Sequence, residues 1–428
     1  MPVKSLKSIF IVILLSITIV PLKSKGFSIL AHEAIIDAAW PNSLLPLLKK
    51  KYPAATDSAL ISAHSYAYGG SLIVDIGYMP GGNVFFTDLL HYVRSGDLVV
   101  NLIDEAENLN EYAFALGALS HYMADKYGHS MATNVTVPMV YPDLRKKFGN
   151  VVTYEEDHTS HSRMEFAYDA LQVGRGNYAT SAYHAFIGFN VTAAPLERAF
   201  VKTYGIELSA LFKNFDSSVA TLRWGVRNLF PVLTAQAWKA NKAEILKANP
   251  KALKRNYKYK MSRNAYKQEF GGHHGKADLK GRIAGFLVKV LPKVGPLKNF
   301  KFVYPGPAGE KIFRQTLDTI LVNYTAALKR VEDDNFNLPD INFDTGQQVK
   351  YGDYRLADET YYQLVSKLDE EGLECMTASL KDNILKYYRN AELEPFFKER
   401  TNKVKRDFIA DLQKVKQTPP VPVKQVIM

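Results

Sequence analysis

Eight of the ten histidines in this 428-residue chain fall between residues 32 and 184, and several stand four positions from a carboxylate. In HYMADKYGH, His121 and Asp125 have this spacing. Residues four apart share one face of a helix, where an imidazole and a carboxylate can grip a single ion. Gly128 reads as a helix terminator, beyond which His129 is free to turn toward a different ion. HSRME repeats the pattern with His161 and Glu165. Taken singly, each has a plainer reading: a buried histidine hydrogen-bonds within a core, and an i,i+4 pair bonds along a surface helix. His32 lies in FSILAHEAI, where Ile36 replaces the second histidine of a His-Glu-x-x-His zinc motif. Asp75 (LIVDIGYMP) would alone be a loop or capping residue, and His91 follows in FFTDLLHYV.

Only Cys375 is present, which excludes an intramolecular disulfide and thiolate metal sites. A metal here must be held by His, Asp and Glu, a ligand set that suits zinc with open coordination positions better than a closed structural site. Burying so many imidazoles and carboxylates without cations to pair them would be costly.

The elements that must position these residues read as helices. Leu109 to Met123 carries apolar residues on more than one helical face and predicts a buried helix. Ser162 to Leu171 and Ala194 to Tyr204 read the same way. Tyr68 to Gly82 holds five glycines and Pro80, which suits a long loop, and Pro138 to Tyr154 reads as irregular. Alternating strand patterns are scarce, so the fold class is all-α. From Lys239 to Lys301, Lys and Arg far outnumber Asp and Glu and carry much of the net +11 charge. The acidic stretch Glu332 to Asp344 reads as a linker, followed by helical stretches at Asp358 to Tyr388 and Pro395 to Lys414. The tail from Thr418 is rich in proline and reads as extended. Aromatics, at 12%, fit a bulky core more readily than a lined groove.

In order along the chain, His32, Asp75, His91, His121, Asp125, His129, His161 and Glu165 resemble the ligand series of the zinc-dependent phospholipase C family. That family includes bacterial phospholipases C, the amino-terminal part of glycosylphosphatidylinositol-specific phospholipase D and, more distantly, the single-strand-specific zinc nucleases. AHEAI, YAYGG, DIGYMP, HYVRSGD and LGALSHYMAD share the resemblance, which covers roughly Phe27 to Phe230. It implies a multi-helical domain holding about three zinc ions. Asp75, His91, His121 and Asp125 would hold the first. Asp125 would bridge to a second, completed by His32 and the mature amino terminus at Phe27. His129, His161 and Glu165 would hold the third. It also implies phosphodiester hydrolysis by a metal-activated water, most simply at a phospholipid headgroup, with Asp75 a proton acceptor as well as a ligand. Two departures bear on substrate choice. Phe27 stands where well-studied members begin with tryptophan, and the Asp125 to His129 gap matches the shorter spacing of the phospholipase D branch.

The chain is therefore expected to comprise a signal peptide (1–26), a catalytic domain (27–230) and a basic helical extension of unknown role (231–428). Lys4 and Lys7 precede an apolar run from Ile9 to Leu22, and Ser24 and Gly26 supply small residues before a cleavage point. An export signal implies a periplasmic or secreted protein, with an uncleaved anchor as the alternative. The basic segment, with His273 and His274 in GGHHG, can attract an anionic membrane surface or form a solvated face. No protein partner is evident. Rival functions are a nuclease for single-stranded nucleic acid, which the basic segment would suit, and a non-catalytic surface-binding protein stabilised by zinc. Secondary candidates beside the ligands are His64, His158, Glu33, Asp88 and Asp97 as outer partners and Tyr66, Tyr68 and Tyr78 around the cleft. His184 reads as core.

Overall fold

The computed structural model describes residues 29–79, 81–175, 189–228, 238–239, 242–243, 246–247, 250, 302–333 and 335–426. The expected export signal, Phe27, His184, His273, His274 and nearly all of the basic segment lie outside them. Among the described residues the structure is helices and turns with no strand, only two isolated bridges. No helix among them is long and apolar enough to cross a membrane.

Helix α1 (Ile29–Ala39) is buried on almost every side. Its first amides find an acceptor elsewhere in the chain: Leu30 N and Ala31 N donate to the two Asp169 oxygens at 3.0 and 3.1 Å. A carboxylate there meets the exposed N–H groups and the positive end of the helix dipole. A wide helical turn (Trp40–Leu44) leads to α2 (Leu45–Lys51). Helix α3 (Asp57–Ile73) starts at a Thr56 cap, whose hydroxyl accepts from Ala59 N. It runs straight through Gly69 and Gly70, where the glycine count favoured a loop. These glycines serve close packing, not turning. A Cβ on Gly70 would stand 1.8 Å from Phe114 O, and one on Gly117 would stand 2.0 Å from Ala67 O. The two helices therefore cross backbone to backbone, which only glycine allows.

The partner in that crossing is α6 (Leu109–Gly128), capped by Asn108 and buried along most of its length. The α-helix ends at Gly128 as the sequence suggests, but not through a left-handed glycine. Gly128 has φ −62° and ψ −48°, and a wide turn (His129–Thr133) carries the chain into α7 (Asn134–Val140). Between α3 and α6 lie α4 (Val84–Tyr92), capped by Asn83, and α5 (Ser95–Asp104). The region from Pro138 onward is more regular than its prolines suggest. Pro138 sits inside α7, and α8 (Pro142–Phe148) follows. Pro138 has no N–H for Asn134 O, and that carbonyl accepts instead from Val152 N at 2.9 Å. Helices α9 (His158–Arg175), α10 (Ala193–Tyr204) and α11 (Phe215–Asn228) complete this part.

The later chain packs into the same core. Helix α12 (Gly306–Arg330) lies against α6, with the Tyr324 hydroxyl donating to Leu116 O at 2.8 Å. The acidic stretch after it is not simply a linker: Ile341, Asn342, Phe343 and Asp344 are all buried. Alternating Ile341 and Phe343 draw the stretch inward, and burial of this apolar surface outweighs its acidic flank. Helices α13 (Arg355–Glu370), α14 (Ala378–Tyr387) and α15 (Asn402–Gln417) close the fold.

Candidate metal centre

Four helices, the turn at Asp75 and the wide turn at His129 converge on a set of buried polar side chains. The α3–α6 crossing sets the first of them. It brings Ser71 O within 2.8 Å of His121 Nδ1. A carbonyl can only accept, so Nδ1 carries the proton and Nε2 is left with its lone pair. His91 is fixed in the same way, with Nδ1 2.8 Å from Thr87 O one helical turn earlier. The Thr87 hydroxyl also donates to Val74 O and accepts from Gly77 N, at 2.6 and 2.9 Å. Thr87 thereby clasps the turn that carries Asp75 to the helix that carries His91. His91 Nε2 lies 3.5 Å from Asp75 Oδ1.

Asp125 is at the middle of the set. Its Oδ1 lies 3.4 Å from His32 Nε2, and its Oδ2 lies 3.1, 3.3 and 3.5 Å from the Nε2 atoms of His121, His91 and His129. On the far side of His129, His161 Nδ1 stands 3.0 Å from Glu165 Oε1, and His129 Nδ1 stands 3.6 Å from that same oxygen. His32 stacks on His121 at 4.3 Å, and His129 on His161 at 4.9 Å.

Three groups have ligand atoms close enough to hold an ion: His32, His121 and Asp125; Asp75, His91 and His121; and His129, His161 and Glu165. The separations fit. Zinc bonded tetrahedrally at about 2.0–2.1 Å keeps its ligand atoms about 3.3 Å apart. The satisfaction of these atoms points the same way. Asp75 and Asp125 make no hydrogen bond through either oxygen, nor do His91 Nε2, His121 Nε2, His161 Nδ1 and Glu165 Oε1. Buried polar atoms are rarely left so, and these all face one another. A cation between them would account for the whole set.

The electrostatics describe the same frustration. Burial pushes the Asp75 carboxyl well above the usual carboxylate range, against the pull of His121. Burial acts on Asp125 in the same sense, but the imidazoles of His121 and His129 hold it well below that range. Burial and the neighbouring His121 push His32 well below an ordinary imidazole. For His129, burial is overcome by the Asp125 carboxylate, and the ring is held well above its ordinary value.

All eight side chains singled out by the resemblance come together, from His32 through Glu165. The secondary candidates divide. His64 lies 3.1 Å from Asp37 Oδ1 and stacks on Trp40, and Tyr68 donates to the same carboxylate, so these form a separate cluster. His158 stacks on Tyr154, with Nδ1 2.9 Å from Tyr154 O. Asp97 pairs with Arg94. Tyr78 is at the site, edge-on to His91 at 6.0 Å. Spacing missed three neighbours: Asp344, 3.2 Å from His161 Nε2; Asn134, whose Oδ1 is 2.9 Å from the same nitrogen; and Phe343, packed on His91 and His121. The signal that could have found two of them is the alternation of Ile341 and Phe343 within an otherwise acidic stretch.

Among the described residues, a helical frame brings together three buried groups of histidine and carboxylate that could each hold a metal ion. Residues 31–214 match the family described as zinc dependent phospholipase C. No curated protein and no solved structure matches the chain.

Proposed function

We propose that the protein is a zinc-dependent phosphodiester hydrolase that cleaves a phospholipid headgroup in the manner of a phospholipase C. The observation that carries this reading is the placement of Asp125, whose two oxygens face different groups. One imidazole nitrogen can bind only one ion, so groups that share His121 are best joined through the Asp125 carboxylate. On this reading Asp75, His91, His121 and Asp125 hold one ion, His32 and Asp125 a second, and His129, His161 and Glu165 a third. For Phe27, proposed to complete the second site with its amine, the support is the sequence alone.

When bound, zinc supplies positive charge against the phosphate oxygens and lowers the pKa of a water to near neutrality. The protein's own part is orientation. Ser71 O and Thr87 O hold His121 and His91 with Nε2 inward, and such outer partners sustain metal affinity. Asp75 presents one oxygen to His91 and keeps the other to take the proton of the attacking water. We propose export of the mature chain, with the basic segment drawing it to anionic surfaces.

Zinc analysis and turnover test the reading together. Purified protein should carry about three ions, matching the three groups. It should release the headgroup from phospholipid vesicles, lose that activity with a chelator and regain it with zinc. Preference for single-stranded DNA would transfer the reading to a nuclease. Bound zinc with neither activity would leave a binding protein.

A further inference from the structure

The strap from 338 to 354, outside the family match, is stitched into the metal centre by its backbone. Phe343 N donates to His91 O at 3.1 Å, and Asn134 Nδ2 donates to Asp344 O at 2.7 Å. Asn342 Oδ1 accepts from Asp344 N and Thr345 N at 2.9 and 3.2 Å, a local turn that aims the Asp344 side chain. Gly346 follows at φ +70°, where an added Cβ would stand 2.7 Å from Lys126 O.

The two oxygens of Asp344 differ. Oδ2 accepts from Tyr154 N at 2.9 Å and from the Tyr354 hydroxyl at 2.7 Å. Oδ1 makes no hydrogen bond, although the residue is only 3% exposed. It lies 3.2 Å from His161 Nε2 and 3.5 Å from His129 Nδ1, and those two nitrogens are 3.2 Å apart. The three atoms form a triangle close to one face of a zinc tetrahedron, whose edge is about 3.3 Å. An ion on that face meets His161 through Nε2 and leaves Nδ1 of the same ring turned to Glu165 Oε1 at 3.0 Å. Asn134 Oδ1 also approaches His161 Nε2, so without an ion the proton on that nitrogen has two oxygens to choose between.

We propose that Asp344 is a ligand of the ion held by His129, His161 and Glu165, so that the carboxy-terminal half of the chain completes the metal centre. The proposal rests on the metal reading above. It makes this ion less open than three ligands alone would, and it ties loading of the ion to docking of the strap.

Asp344→Asn is the decisive variant. Its amide oxygen can still accept from Tyr154 N and Tyr354, while its NH2 group turns to the imidazoles, so the anchor is kept and the ligand atom is lost. Zinc measured by mass spectrometry should fall by about one ion per chain, with circular dichroism unchanged. Affinity at that site should weaken by more than about 100-fold, beyond the effect of losing an orienting partner. With cobalt substituted, the visible bands should change. Tyr354→Phe, which leaves Oδ1 in place, should keep the full zinc count. An Asp344→Asn protein with the wild-type count, or with weaker binding and unchanged cobalt bands, would overturn the proposal. Absence of zinc from the wild type would instead overturn the metal reading beneath it. If Asp344→Asn does not fold, hydrogen exchange of the wild-type protein decides. Chelation should deprotect the Phe343 and Asp344 amides, and unchanged protection would sink the proposal.

Discussion

His121 with Asp125, and His161 with Glu165, sit on long helices whose 3.6-residue period sets each pair on one face. Asp344 sits on an irregular strap held by side chain to backbone hydrogen bonds. Both reach the same centre, and both put buried oxygens beside imidazoles at 3.0–3.2 Å. The helical region gains its geometry from local spacing, so a few residues suffice to reveal it. The strap gains its geometry from contacts with Asn134, Tyr154 and His91, each distant in sequence. Helical ligands can be read one segment at a time, whereas a strap ligand exists only once the fold has closed.

The largest effect expected is at the helical centre. Asp125→Asn should release more than one ion, because both carboxylate oxygens face ligand groups. Activity should fall by more than about 100-fold, the upper range for loss of an outer partner alone. A variant that kept its full zinc would show that the groups hold their ions independently of Asp125. Removing all metal comes next. Chelation should lower the melting temperature by on the order of 10 °C, since ions that bind only the folded chain stabilise it by mass action. The buried carboxylates would then lack a counter-charge. A melting curve indifferent to chelator would mean that the polar atoms are satisfied without ions.

Most of the helical half was legible in the sequence. The apolar periodicity of Leu109 to Met123 marked α6, and the i,i+4 spacing marked His121 with Asp125 on it and His161 with Glu165 on α9. Glycine misled in α3. Gly69 and Gly70 suggested a loop yet are helical, and Gly128, where α6 does end, keeps helical dihedrals instead of the left-handed ones of a glycine cap. A glycine that removes a Cβ for close packing cannot be told from one that frees φ until its neighbour is known. Asp344 was hidden for a related reason. Its segment shows the charge of a linker, and the residues that bury it lie on α4, α7 and the turn before α9.

Gly117→Ala tests the packing that holds His121 in register. A methyl group 2.0 Å from Ala67 O must push the α3 and α6 backbones apart, and overpacking of this kind costs about 1–3 kcal/mol or more. Ser71 O would move with α3, loosening its grip on His121 Nδ1. Stability and zinc affinity should therefore fall together. A stability loss with zinc affinity intact would show that the crossing supports the core without tuning the ligand.

Tyr354→Phe should give the smallest effect and isolates the strap's anchor from its ligand atom. The Tyr354 hydroxyl donates to Asp344 Oδ2 and is buried with it. Its removal deletes one charge-assisted hydrogen bond, worth about 1.5–3 kcal/mol. Tyr154 N remains on the same oxygen and keeps the carboxylate aimed. The ring also packs on Tyr92 at 5.4 Å, a contact that phenylalanine preserves. Denaturant unfolding should therefore show a modest loss of stability, with the zinc count unchanged and hydrogen exchange faster along the strap only. If faster exchange spread through α6 and α9 as well, the strap and the helical ligands would be a single cooperative unit, and the contrast between the two regions would hold for their sequence but not for their energetics.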